Sequence, residues 1–161
     1  MKTLLVAVLA AVLGQTAQAE SLKYPVVTIL EAVTDGGFRA PGPCTAIVTS
    51  LSLDGSVVLS RDCGATAETI LVLPQEKVEL IKARIAKLGA VGELVRANPN
   101  APVCNDAPFT NLHVIKNGKT ILVGGRDECV EMIPSTDDSG ESCTLAEIIN
   151  GLHVLALRLQ K

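Results

Sequence analysis

Five cysteines (Cys44, Cys63, Cys104, Cys129 and Cys143) and two histidines (His113 and His153) are the residues of this 161-residue chain best equipped for chemistry. The cysteine spacings of 19, 41, 25 and 14 contain no Cys-x-x-Cys. A redox motif or a zinc ribbon needs two sulfurs presented from one tight turn, so both are set aside. A Cys-His nucleophile pair would need a low-pKa thiol beside one of the histidines, and no local sequence marks such a thiol. Gly-x-Ser-x-Gly, His-Glu-x-x-His and Gly-x-x-x-x-Gly-Lys-Ser/Thr are absent. No residue is assigned a catalytic or metal-ligating role and no cofactor is expected.

Two other segments carry chemistry. Asp137-Asp138-Ser139-Gly140-Glu141 offers several hard oxygens of the kind Ca²⁺ takes, without EF-hand spacing, and reads as a solvated turn. Gly36-Gly37-Phe38-Arg39-Ala40-Pro41-Gly42-Pro43 places an aromatic ring and a guanidinium on a Pro- and Gly-rich loop next to Cys44. Phe38 and Arg39 are side-chain types that anchor interfaces, and a stiffened loop loses less entropy on docking.

The compartment decides how the cysteines behave. Lys2, the apolar run Leu4 to Leu13 and the small-x-small triplet Ala17-Gln18-Ala19 have the order of a cleavable signal peptide. The run is too short to cross ~30 Å of hydrocarbon. Residues 1–19 are therefore expected to be removed, leaving residues 20–161 as one domain in the periplasm or secreted to the medium. In an oxidising compartment most of the cysteines should pair, and the odd one is left free or available for a disulfide-linked dimer. Cys104 with Cys129 is the preferred pair because both flank one hairpin; Cys44 with Cys63 comes second, leaving Cys143 over.

Composition narrows the partners. Cleavage removes one lysine and no acid, so the exported chain carries 13 basic and 17 acidic side chains. The bases are scattered, and only three aromatic rings are present (two Phe, one Tyr). Nucleic acid and stacked carbohydrate are thereby disfavoured. No stretch of the exported chain reads as a membrane span.

The elements that must position these residues follow from periodicity. Val26–Val33, Thr45–Leu53, Ser56–Asp62, Glu68–Leu73, Phe109–Lys116 and Lys119–Val123 read as strands. Leu53-Asp54-Gly55 suits a three-residue hairpin loop, pairing Leu51 with Val57 and Thr49 with Leu59. Asn117-Gly118 predicts a type I′ hairpin pairing Leu112 with Val123 and Val114 with Ile121. Pro74 opens a helix whose buried stripe is Val78, Ile81, Ile85 and Leu88, with Gly89 available as its cap. A second helix is expected from Thr144, where Thr144-Leu145-Ala146-Glu147 has the pattern of a capping box. Gly151 inside it costs about 1 kcal/mol relative to Ala. Arg96–Pro108 and the acidic Asp127–Glu141 read as loops.

Strands in succession without regular strand-helix alternation predict an α+β fold, an antiparallel sheet of five to six strands with two amphipathic helices packed on one face. The function expected is that of an exported, disulfide-bonded binding or interaction protein, with inhibition of a secreted enzyme as the more specific version. The alternative is a small extracytoplasmic enzyme without a recognisable catalytic motif.

Overall fold

The two hairpin turns fix the register of the sheet. In a computed structural model that describes residues 27–35, 46–61, 66–102, 104 and 107–160, Asn117 and Gly118 have φ of 54° and 72°. Both values belong to a type I′ turn, which only residues tolerant of the left-handed region adopt readily. The turn joins β6 (Thr110–Lys116) to β7 (Lys119–Arg126). Gly55, at φ 87°, likewise closes the hairpin of β2 (Ile47–Ser52) and β3 (Ser56–Arg61), with Leu51 opposite Val57 and Thr49 opposite Leu59 as expected.

One expected pairing is corrected. Val114 does face Ile121, but a bulge at Leu112/His113 sets Leu112 against Gly124 instead of Val123. The extra residue keeps Val123 in the core. It also puts a glycine where a Cβ would lie 3.1 Å from the Ala146 methyl, so a helix can approach the sheet closely there.

The remaining strands are β1 (Thr28–Thr34), β4 (Thr66–Val72), β5 (Leu94–Arg96) and β8 (Glu131–Pro134). All neighbours are antiparallel, in the order β4-β3-β2-β1-β6-β7-β8-β5. The sheet therefore has eight strands, which corrects the expectation of five to six. The two additional strands, β5 and β8, are three and four residues long. Strand β8 falls in the acidic segment read as a loop and β5 reaches the Arg96–Pro108 loop only at its last residue, and pieces this short have no period of their own. Leu94, Val95 and Arg96 are held opposite Pro134, Ile133 and Met132, and β8 in turn pairs with the glycine-bearing end of β7.

Both helices lie on one face of the sheet, as alternation requires. Leu30, Ala32, Leu51, Val57, Leu59, Leu112 and Val114 point to that face and form one core with Val78, Ile81, Ile85, Leu145, Ile149 and Ala156. Helix α1 (Gln75–Lys87) presents its expected stripe, and Pro74 stands just before it as the N-cap. Its C-terminus is not finished by Gly89. The Lys116 ammonium of β6 donates instead to the carbonyls of Ala86 and Leu88, a cation on the negative end of the helix.

Helix α2 (Glu141–Leu159) begins three residues before the expected Thr144. It is long and apolar enough to cross a membrane by length and composition alone, which amends the expectation that no such stretch lies beyond residues 1–19. Leu145, Ile149, His153 and Ala156 seat it on the sheet. An ion pair of 2.8 Å from Arg84 to Glu141 ties its start to α1. On the opposite face of the sheet Glu31, Val33, Val48, Ser50, Val58, Ser60, Asn111 and His113 are half-buried, and no described helix packs there.

Candidate functional site

A groove of about 370 Å³ runs between the first half of α2 and the β7–β8 end of the sheet. Its floor is Leu112, Val123 and the two glycines Gly124 and Gly125; Met132 and Ile133 wall one side, and Ala146 and Gly151 the helix side. The bulge in β7 shapes it, by exchanging side chains for backbone under α2. Gly151 lines the opening on the helix side. A Cβ added there would meet nothing within 4 Å, so no packing contact in the described chain accounts for a glycine in mid-helix.

Polar groups stand at the mouth: Arg126 and Glu131, paired across β7 and β8, with Cys143, Glu147 and Asn150 from α2. Cys143 is a free, exposed thiol. It has no histidine base within reach, since His153 lies ten residues further along the same helix, roughly 15 Å away at 1.5 Å per residue. His113 is on the other face of the sheet, in register with Glu31 and Leu122. Its Nδ1 is buried without a hydrogen-bond partner. Sequence reasoning placed none of these groups together, because residues 112, 126, 131 and 147 meet only through the bulge and the short strand β8.

His153 is the most deeply placed ionisable group of the helix face. Its Nδ1 is 2.8 Å from the Thr49 hydroxyl and its Nε2 3.1 Å from that of Thr34, which is itself 2.8 Å from the Thr110 hydroxyl. Four side chains from α2, β2, β1 and β6 are thus joined. Burial holds the imidazole below its ordinary pKa of 6.5, because a charged ring would have no water to solvate it. With both nitrogens engaged, the ring serves as a structural clamp.

Asp137 in the acidic segment also has a structural explanation. Partial burial pushes its carboxyl up, but hydrogen bonds from the Ser142 hydroxyl and backbone and from those of Ser139 outweigh that, leaving a pKa of about 2. One carboxylate oxygen accepts from the Ser142 N–H at 2.9 Å and its hydroxyl at 2.5 Å; the other accepts from Ser139. The N-cap position of α2 is Gly140, which supplies no side-chain bond; the Asp137 carboxylate, three residues earlier, takes the Ser142 N–H instead, and the expected Thr144–Glu147 box does not start the helix. Among the described residues no group of three or more His, Cys, Asp or Glu is placed to hold a metal ion.

Cys104 and Cys129 form the disulfide preferred from the sequence, with Cα atoms 5.9 Å apart, within the normal range. It fastens the segment before β6 to the loop between β7 and β8, behind which the groove opens. Phe38, Arg39, Cys44 and Cys63 lie outside the described residues, as do residues 1–19, which were expected to form a leader. No protein-family model matches the chain, and comparisons with curated proteins and with solved structures give no significant match.

Proposed function

We propose that this chain is an exported binding protein and that the groove between α2 and the β7–β8 end of the sheet is its ligand site. The observation that carries the reading is Gly151, a helix-weakening residue beside a cavity, with open space where its side chain would be. A volume of about 370 Å³ is at the lower end of small-molecule sites. An apolar floor with an Arg, two Glu and an Asn at the rim suits a compact amphipathic ligand, its apolar body against Val123, Met132 and Ile133. A binding role is favoured over an enzymatic one because His153 and Asp137 already have structural partners, and Cys143 lacks a base.

The test uses the neutral apolar dye Nile red as a probe. Saturable fluorescence is expected with folded wild-type protein and is expected to be lost in Gly151→Met, whose side chain fills the groove. That variant should also be about 1 kcal/mol more stable, since it removes a mid-helix glycine without a clash. Equal dye binding by the two proteins would remove the groove from consideration. Inhibition of a secreted enzyme through Phe38 and Arg39 is the more specific version of the same reading, motivated by the loop chemistry of Gly36–Pro43.

A further inference from the structure

We propose that the groove between α2 and the β7–β8 end of the sheet selects amphipathic amines, holding an apolar body on its floor and a protonated nitrogen at its mouth beside Glu147. The inference rests on the groove being a ligand site and names the chemical class that the site takes. Two carboxylates, Glu131 of β8 and Glu147 of α2, stand at the mouth, and Arg126 is the one cation among the described lining residues. Arg126 lies directly opposite Glu131 in the pairing of β7 with β8, so those two charges offset one another. Glu147 is exposed and, among the described residues, takes part in no ion pair. One negative charge at the mouth is left for a ligand to neutralise.

The position of Glu147 ties that charge to the cavity. Cys143, Glu147 and Gly151 follow at intervals of four along α2 and share one helix face, with Asn150 beside them. The space at Gly151, where an added Cβ would meet nothing within 4 Å, therefore lies one turn from the carboxylate. An apolar group can enter that space against Val123 while an ammonium, which has three donors and no acceptor, donates to the Glu147 carboxylate and the Asn150 amide oxygen at the rim.

An anionic head group has less to bind. The positive end of a helix attracts anions, but the first N–H groups of α2 are engaged by residues that do not line the groove. That of Ser142 donates to the Asp137 carboxylate at 2.9 Å and that of Glu141 to the Ser139 hydroxyl at 3.3 Å. Arg126 already has Glu131 opposite, so a carboxylate ligand would meet Glu147 without a free cation to offset it. The chain as a whole carries 17 acidic and 14 basic side chains, and a field of that sign raises the local concentration of cations.

The experiment is displacement of Nile red by octylammonium and by octanoate, equal in chain length and opposite in charge, at about pH 7.5 where both are fully ionised. With wild type, octylammonium should displace the dye at a concentration about tenfold lower than octanoate, the size of one charge-assisted hydrogen bond. The ratio of the two concentrations is taken within each protein, so a change in dye affinity cancels. It should fall by about threefold or more in Glu147→Gln, narrow with added salt, and widen in Arg126→Gln. Glu147 is exposed, so its substitution should leave the melting transition in place. Saturable dye binding with octanoate equal to or better than octylammonium, or a ratio unchanged in a folded Glu147→Gln, would overturn the amine selectivity and leave the groove standing. Absence of saturable dye binding in wild type would overturn the groove and the selectivity together.

Discussion

Replacing His153 by Leu isolates the buried clamp that joins α2 to the centre of the sheet. At pH 8 the change removes the bonds to Thr49 and Thr34. Thr34 keeps Thr110 as a partner. Thr49, only 4% exposed, is left with an unpaired hydroxyl, and that omission costs roughly 1–3 kcal/mol. His153→Leu/Thr49→Val removes both partners in similar shape and should return to within about 1 kcal/mol of wild type. The pH dependence supplies the sharper test. Because the folded-state pKa of His153 lies below 6.5, the unfolded chain takes up a proton more readily than the folded one. Wild-type stability is therefore fully present above about pH 6.5 and falls as pH drops through the interval down to the folded pKa, by at most about 1.4 kcal/mol per unit. His153→Leu has no such term, so its deficit relative to wild type should shrink between pH 8 and pH 5. Urea unfolding midpoints of both proteins across that range measure the gap, and contributions from shared groups cancel in the difference. A gap that stays constant or widens toward low pH would refute the clamp reasoning.

Asp137→Ala should cost about 1–2 kcal/mol at pH 7 by uncapping α2, and the deficit should disappear as pH falls from 3.8 through about 2, where wild-type Asp137 itself becomes protonated. Acid titration followed by circular dichroism of the two proteins reads that convergence. Cys104→Ser/Cys129→Ser opens a link across a sequence separation of 25 residues and should lower stability by about 3 kcal/mol in a denaturant titration, while reductant should leave the double variant unaffected. If Gly36–Pro43 is a recognition loop, Phe38→Ala/Arg39→Ala should leave the unfolding free energy within about ±0.5 kcal/mol, as exposed substitutions do, and abolish partner capture; a loss on the order of 3–5 kcal/mol would instead retire the binding-loop reading.

Local chemistry determined much of this chain. Asn117-Gly118 and Gly55 set two hairpins because few residues accept positive φ, and the apolar stripe of α1 is visible at helical spacing from Val78 to Leu88. The Cys104–Cys129 bond also followed from sequence, since a hairpin brings its own ends together. What the sequence did not disclose depends on partners distant along the chain. Strands β5 and β8 are too short to be periodic, and exist because each supplies the other's hydrogen bonds. The start of α2 moved because Asp137, four residues before its first turn, competes for the helix N–H groups more effectively than the local Thr144–Glu147 pattern. The groove required the bulge at Leu112/His113, which turned Gly124 under Ala146 and brought β8 beside α2. Side-chain pattern specifies which face a residue occupies; only the assembled sheet decides which residues from separate elements share a cavity, because backbone pairing and helix approach are settled together when the core closes.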